Sequence, residues 1–164
     1  MSKQETSQTY KEIADYDSTA DTLKHIKRVS ELMSQAAAEL LRRGSCHDDS
    51  KLIEPEKSHF DRLTPLLKTL KYGTKEYTDS LADLKPALDN HYAMNSHHPE
   101  HYETGIDGMD IFDLVEMFFD WKAATERTSG GSIKKSIEIN STRFKMSEQL
   151  VSIYNNTADR MGFL

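Results

Sequence analysis

The fold is decided by the stretch Met109–Arg127, which reads MDIFDLVEMFFDWKAATER. Its apolar side chains cover most of the circumference of a helix, a pattern that predicts a buried central α-helix. Three acidic residues, Asp113, Glu116 and Asp120, share one face of that helix because they are spaced by three and four positions. Since an unpaired buried charge is costly, we expect a metal ion or a group of histidines to partner these carboxylates.

Helical spacing recurs on both sides of this stretch, and no alternating strand pattern interrupts it. Further helices are predicted from Ser18–Asp21 to Arg43, from Pro55 to Tyr72, from Thr74 to His91 and from near Ser147. Gly44 is expected to end the first of these. Pro65 is expected to kink or split the second, and Pro86 to bend the third. We therefore predict a compact, single-domain, all-α bundle of about six helices over residues 10–164, preceded by a flexible tail, residues 1–9.

Composition narrows the class of protein. The formal charge of -6 argues against a bulk nucleic-acid binder. Cys46, the single cysteine, excludes an internal disulfide and fits a reducing compartment. No apolar run is long enough to span a membrane, and Met1–Tyr10 is too polar for a signal peptide, so we expect a cytoplasmic protein. The apolar last helix, with Leu150 and Phe163, predicts either a homodimer or docking on its own core.

The pair His47-Asp48 follows the first helix, and His25 lies 22 positions upstream of it. A histidine and a carboxylate adjacent in sequence reach one metal ion only where the backbone bends. Imidazole and carboxylate ligands suit a borderline or hard divalent cation that activates water. The pair therefore indicates a metal site just after the first helix.

These motifs resemble those of the HD-domain metal-dependent phosphohydrolase superfamily. His25-x-x-Arg28-Val29 followed by His47-Asp48-x-Ser50-Lys51 is similar to its H-x-x-R-V and H-D-x-G-K motifs, with Ser50 in place of glycine. Asp120, within Phe119–Ala124, is similar to the closing aspartate of the superfamily, and Asp113 is the alternative. The segment Met109–Trp121 also looks like an uncharacterised family found in bacterial and phage genomes, which names no activity.

The resemblance implies an HD-like fold and a set of site residues. The expected metal ligands are His25, His47, Asp48, His91, His98 and Asp120, with His97, Asp113 and Glu116 as secondary candidates. Asp113 and Glu116 are alternatively hydrogen-bond partners of ligating histidines. The expected catalytic residues are Asp48, Lys51 and Glu54, with Asp49 as an alternative to Glu54, and the expected phosphate contacts are Lys51, Lys122 and Arg127.

The function implied by the resemblance is hydrolysis of a nucleotide or related phosphate ester by a metal-activated water. The expected cofactor is a divalent ion (Mn, Fe, Co, Ni, Zn or Mg). Superfamily members with two further histidines hold two metals, so the presence of His91 and His97-His98 predicts one or two ions per chain. Two alternatives stay open: a di-iron oxygenase of the same fold, and a non-catalytic protein that binds and sequesters a nucleotide.

Overall fold

The structure of the protein is a computed structural model that describes residues 16–69, 75–127 and 130–164. All regular secondary structure in these residues is helical, which confirms the predicted all-α class. The predicted tail, residues 1–9, lies outside the described residues. Within the described part of the chain, no helix combines the length and apolarity that crossing a membrane requires.

Six α-helices account for most of the described residues. They are α1 (Thr19–Cys46), α2 (Glu56–Thr69), α3 (Lys75–Met94), α4 (Ile111–Thr125), α5 (Ile133–Arg143) and α6 (Glu148–Arg160). Three short 3₁₀ helices, Asp49–Leu52, Pro99–His101 and Gly105–Gly108, lie between them. The described residues divide into two units, one ending at Leu41 and the other beginning at Arg42. The first unit holds most of α1, and the second holds the last turn of α1 and all later elements.

Helix α1 continues beyond its predicted end. Gly44 was expected to stop the helix, but α1 runs on to Cys46, so that expectation is wrong. The hydroxyl of Ser45 donates to the Arg42 carbonyl over 2.7 Å, and the Cys46 thiol donates to the same oxygen. These side chains satisfy a carbonyl of the last turn, which removes the need for a glycine cap at this position.

Neither of the two helix-internal prolines ends its helix. Pro65 lies inside α2 and Pro86 inside α3, and both helices continue past them. A proline removes one backbone hydrogen bond, and the remaining bonds and packing of these helices sustain them. The predicted end of α2 at Tyr72 and start of α3 at Thr74 lie outside the described residues.

The second unit has two separate hydrophobic cores. The α2–α3 pair is packed around Leu63, Leu84 and Ala87. Helices α4, α5 and α6 are packed around Met117, Phe118, Ile133, Ile137, Tyr154 and Ala158. Helix α4 was predicted to be buried around most of its circumference, but Ile111 and Phe119 are 69% and 41% exposed. Only one side of α4 is therefore in the core.

Candidate metal centre

The His47-Asp48 pair lies between the end of α1 and the 3₁₀ helix Asp49–Leu52. Asp48 has left-handed backbone angles, φ 60° and ψ 16°, which aspartate tolerates better than most residues with a Cβ atom. The turn brings the two side chains together, with His47 Nε2 3.5 Å from Asp48 Oδ2. The backbone bend that shared metal ligation needs is therefore present.

A set of side chains from the second unit, which we call the histidine–carboxylate cluster, brings potential metal ligands together. Its members are His47, Asp48, His91, His97, His98 and Asp120. They form two groups in which the ligand atoms all lie within 4.8 Å of one another. One group joins Asp48, His91, His97 and His98, and the other joins His47, His97 and Asp120. His97 belongs to both groups.

Asp48 faces both groups with different oxygen atoms. Its Oδ1 atom lies 3.2 Å from His91 Nε2 and 3.6 Å from His97 Nε2. Its Oδ2 atom lies near His47 Nε2, and His47 Nε2 is in turn 3.7 Å from Asp120 Oδ1. The carboxylate of Asp48 therefore has the placement of a ligand that bridges two ions.

Two buried atoms of the cluster lack a hydrogen-bond partner among the described residues, namely Asp48 Oδ1 and His97 Nε2. In addition, the Nε2 atoms of His91 and His98 face each other at 2.9 Å. Buried polar atoms are nearly always paired, because leaving one unpaired costs free energy. Converging imidazole nitrogens and carboxylate oxygens are the donors that Zn²⁺, Fe²⁺ and Mn²⁺ accept. The donor set of the cluster thus fits a divalent cation.

Glutamates outside the cluster orient three of its histidines. Glu116 Oε1 accepts from His47 Nδ1 over 2.8 Å and lies 3.1 Å from His97 Nδ1. Glu56, which is fully buried, lies 3.0 Å from His91 Nδ1. An ionised carboxylate accepts hydrogen bonds and does not donate them, so the Nδ1 atoms that face Glu116 are placed to donate. His91 Nδ1 also lies 3.2 Å from Ser50 Oγ and 3.0 Å from Asn95 Nδ2. The Nε2 atoms are thereby directed into the cluster, as in carboxylate–histidine–metal arrangements.

Arg43 connects these glutamate contacts to the start of α4. Its Nε donates to Glu116 Oε2 over 2.7 Å, and its Nη2 donates to Asp113 Oδ1. Asp113 is buried and also accepts from Ser96 and Tyr102, each over 2.6 Å. It forms the capping box of α4 with Asp110. Asp113, the alternative to Asp120 as the last ligand, belongs to neither ligand group and is held by these structural contacts.

The charges around His47 favour its protonated form. The nearby carboxylates of Asp120 and Glu116 raise the pKa of His47 to about 10, against the effect of burial. Burial alone would raise the pKa of Glu116, but hydrogen bonds from His47 and His97 outweigh it, so that pKa is lowered. Burial and the neighbouring His97 lower the pKa of His98 to about 3. His98 is thus neutral and has a free nitrogen lone pair at neutral pH.

Other predicted site residues lie in different places. Lys51 Nζ is 2.5 Å from Asp48 Oδ2, beside the cluster. Glu54 is exposed and accepts from the Ser58 hydroxyl. Lys122 is paired with Glu126 and lies over the Phe163 ring, and Arg127 is exposed after α4. His25 lies in the first unit, is exposed, and belongs to neither ligand group.

Two residues that position the cluster were not predicted from the sequence. Arg43 was considered only as the last residue of the first predicted helix, and Glu56 was not considered. The one sequence signal for Glu56 is its place directly after Pro55 at the start of a helix, where an acidic residue is ordinary. The buried carboxylate of Glu56 accepts hydrogen bonds from Ser50 and Asn90, which are 6 and 34 positions away, so no local pattern reveals these contacts.

Comparison of the sequence with protein families places the chain in a family without a described activity. Residues 14–160 match a family of unknown function, DUF5662. Since this match covers nearly all of the chain, the protein belongs to that family. Neither the curated proteins nor the solved structures gave a match.

Proposed function

We propose that the protein is a metal-dependent phosphohydrolase that acts on a nucleotide or a related phosphate ester. The observation that carries the proposal is the histidine–carboxylate cluster, in which the buried atoms Asp48 Oδ1 and His97 Nε2 have no hydrogen-bond partner among the described residues. The His47-Asp48 motif supports the phosphohydrolase class through its resemblance to the HD-domain superfamily. The nucleotide part of the proposal rests on that resemblance alone.

The cluster favours two ions over one. Asp48, His91, His97 and His98 would hold one ion, and His47, Asp120 and the second oxygen of Asp48 would hold the other. A divalent ion bound there lowers the pKa of a water molecule and neutralises charge on phosphoryl oxygens. His97, which belongs to both ligand groups, would ligate one ion or the other.

Protein side chains supply the remaining functions. Glu116 and Glu56 contact the Nδ1 atoms of the histidines, so the ligating Nε2 atoms need no reorientation when a cation binds. Lys51 places a positive charge beside Asp48, where it can pair with a phosphoryl oxygen. His47, which carries an extra proton in the metal-free protein, gives it up on ligation.

Elemental analysis of protein purified without chelators tests the metal part of the proposal. We expect one or two divalent ions per chain, and release of phosphate from at least one member of a nucleotide panel. The Asp48→Asn variant should lose metal and activity, whereas Asp61→Asn, the same change at an exposed carboxylate on α2, should keep both. Equal hydrolysis by Asp48→Asn and the unmodified protein would refute the proposal.

A di-iron oxygenase is the second candidate, because the histidine–carboxylate cluster offers ligands for two ions. It requires two iron ions per chain and a mixed-valent EPR signal, which a phosphohydrolase with Mg²⁺ or Zn²⁺ does not give. A nucleotide that co-purifies without being hydrolysed would instead indicate the sequestering protein. A cytoplasmic location and a homodimer stay predictions, and sedimentation of the purified chain tests the second.

A further inference from the structure

A pocket of about 420 Å³ adjoins the histidine–carboxylate cluster, and two members of the cluster, His98 and Asp120, line it. This volume is within the range of about 300–1,000 Å³ that is usual for small-molecule sites. The rest of the lining comes from α3, the end of α4, α5 and the segment after His98. A molecule bound in this pocket would therefore touch the cluster at one end.

Aromatic side chains form one wall of the pocket. The rings of Trp121 and Phe144 are nearly parallel, at 8°, with centroids 6.2 Å apart. The Arg143 guanidinium lies over the Phe144 ring at 4.6 Å and donates to Glu100 Oε1 over 2.7 Å. The wall is thus held by a stacked pair and a cation–π contact, and the charge of Arg143 is already compensated by Glu100.

Outside the cluster and the Arg143–Glu100 pair, the polar groups that line the pocket are neutral. Thr125, Ser136 and Asn140 contribute hydroxyl and amide groups to the lining. Away from Asp120, the charged lining residues are Arg143 and Glu100, which pair with each other. Such a surface suits a planar group with hydrogen-bonding atoms, and it offers no uncompensated cation to a second phosphate.

We infer that this pocket binds the ring-bearing leaving group of a phosphate ester, with its ring against Trp121 and Phe144 and its phosphoryl group at the cluster. The inference rests on the proposed function, which places the phosphoryl group there. In the reaction, a bond forms between phosphorus and the oxygen of water, and the bond from phosphorus to the ester oxygen breaks. The leaving group departs as an alcohol that carries a proton from the water.

Two phosphonates distinguish binding in the pocket from binding at the cluster. Benzylphosphonate and methylphosphonate share a charged head group, and their carbon–phosphorus bonds are not hydrolysed as esters are. The metal-loaded protein would be titrated with each by calorimetry and by fluorescence. Trp121 is the single tryptophan of the chain, so its emission reports directly on the pocket. We expect benzylphosphonate to bind about tenfold more tightly and to change the emission.

Adjacent alanines provide a matched pair of variants. Ala123 and Ala124 are both exposed on α4, but only Ala124 lines the pocket. The Ala124→Leu variant should lose the preference for benzylphosphonate and bind methylphosphonate within about twofold of the unmodified protein. Ala123→Leu should keep the preference, and both variants should keep their metal.

The outcomes distinguish this inference from the proposed function. Equal affinity for the two phosphonates, or a preference that survives Ala124→Leu, overturns the assignment of the pocket and leaves the phosphohydrolase proposal standing. Failure of the metal-loaded protein to bind either phosphonate overturns both. Preferential binding of benzylphosphonate that Ala124→Leu removes supports the pocket, even where no phosphate ester is hydrolysed.

Discussion

Arg43 Nε donates a hydrogen bond to Glu116 Oε2 over 2.7 Å, while the other oxygen of Glu116 holds His47. One arginine therefore fixes the glutamate that orients two histidines of the cluster. The contact is largely shielded from water, since both side chains are 13% exposed. A bidentate guanidinium has a geometry that an ammonium group does not reproduce.

Replacing Arg43 by lysine should weaken metal binding without removing a ligand. The Lys side chain keeps the charge but cannot contact Glu116 and Asp113 in the same fork, so Glu116 and its histidines become less well ordered. We expect the metal dissociation constant to rise about 10- to 100-fold, as for other partners of ligating histidines. Competition with a chromophoric chelator measures it. Arg160→Lys, an exposed change at the end of α6, is the control, and an unchanged constant for Arg43→Lys would contradict the prediction.

Asp48 and His98 should differ in how many ions their loss removes. Asp48 faces both ligand groups through its two oxygen atoms, whereas His98 belongs to one group. In a protein that holds two ions, Asp48→Ala should reduce the occupancy of both, and His98→Ala should reduce one and spare the other. Elemental analysis and metal titration measure the occupancies. His101→Ala serves as the control, because the His101 imidazole is exposed and contacts the Tyr92 carbonyl instead. Identical losses for the two variants would argue against a shared ligand.

Metal binding should release a proton from His47. The nearby carboxylates of Asp120 and Glu116 raise the pKa of His47 to about 10, so the metal-free residue is protonated at neutral pH. A ligating imidazole must be neutral, and the proton therefore competes with the metal below that pKa. Between about pH 7 and 10 the affinity should rise with pH, by at most about tenfold per unit for one proton.

Calorimetric titration with the metal in buffers of different ionisation enthalpy counts the protons released. At least one per chain is expected at pH 7.5, and His47→Gln should lower the count. His98 should contribute none at this pH, because burial and its histidine neighbours lower its pKa to about 3. A heat of binding that is the same in every buffer would refute the prediction.

Gly131 should tolerate no side chain. A Cβ atom built there would lie 1.8 Å from the Thr125 carbonyl oxygen, at the end of α4, so backbone atoms would have to move. We expect Gly131→Ala to lower the free energy of unfolding by about 1–3 kcal/mol, measured by urea denaturation. Gly130→Ala is a closely matched control, since a Cβ at Gly130 meets nothing within 4 Å. Equal stability of the two variants would contradict this account.

The helices were largely predictable because they depend on local spacing. Apolar periodicity located α4, and Ser147 was correctly predicted as the start of α6, where its hydroxyl accepts from the Leu150 amide. The end of α1 was missed, because Ser45 and Cys46 satisfy a carbonyl that a glycine cap would otherwise serve. Whether a helix ends at a glycine depends on which other side chains can bond its last carbonyl groups, and residue spacing does not reveal this.

The candidate site was predictable in its ligand types but not in its supporting contacts. Four ligand candidates were predicted because each lies in a motif or near other histidines or carboxylates in the sequence, namely Asp48, His91, His98 and Asp120. Glu56 and Arg43 were not, because they are ordinary residues near helix ends, and their role arises from partners 35 and 73 positions away. Such pairings follow from tertiary packing, which periodicity and motif spacing do not encode.

The capping box at the start of α4 also sets the axial register of the helix. Asp110 and Asp113 fix where the first turn begins, and Glu116 and Asp120 follow at one and two turns on the same face. Each residue adds about 100° of rotation, so inserting a single alanine between Asp113 and Glu116 would turn both later carboxylates away from their histidines. An insertion of that kind should abolish metal binding in a protein that is still helical.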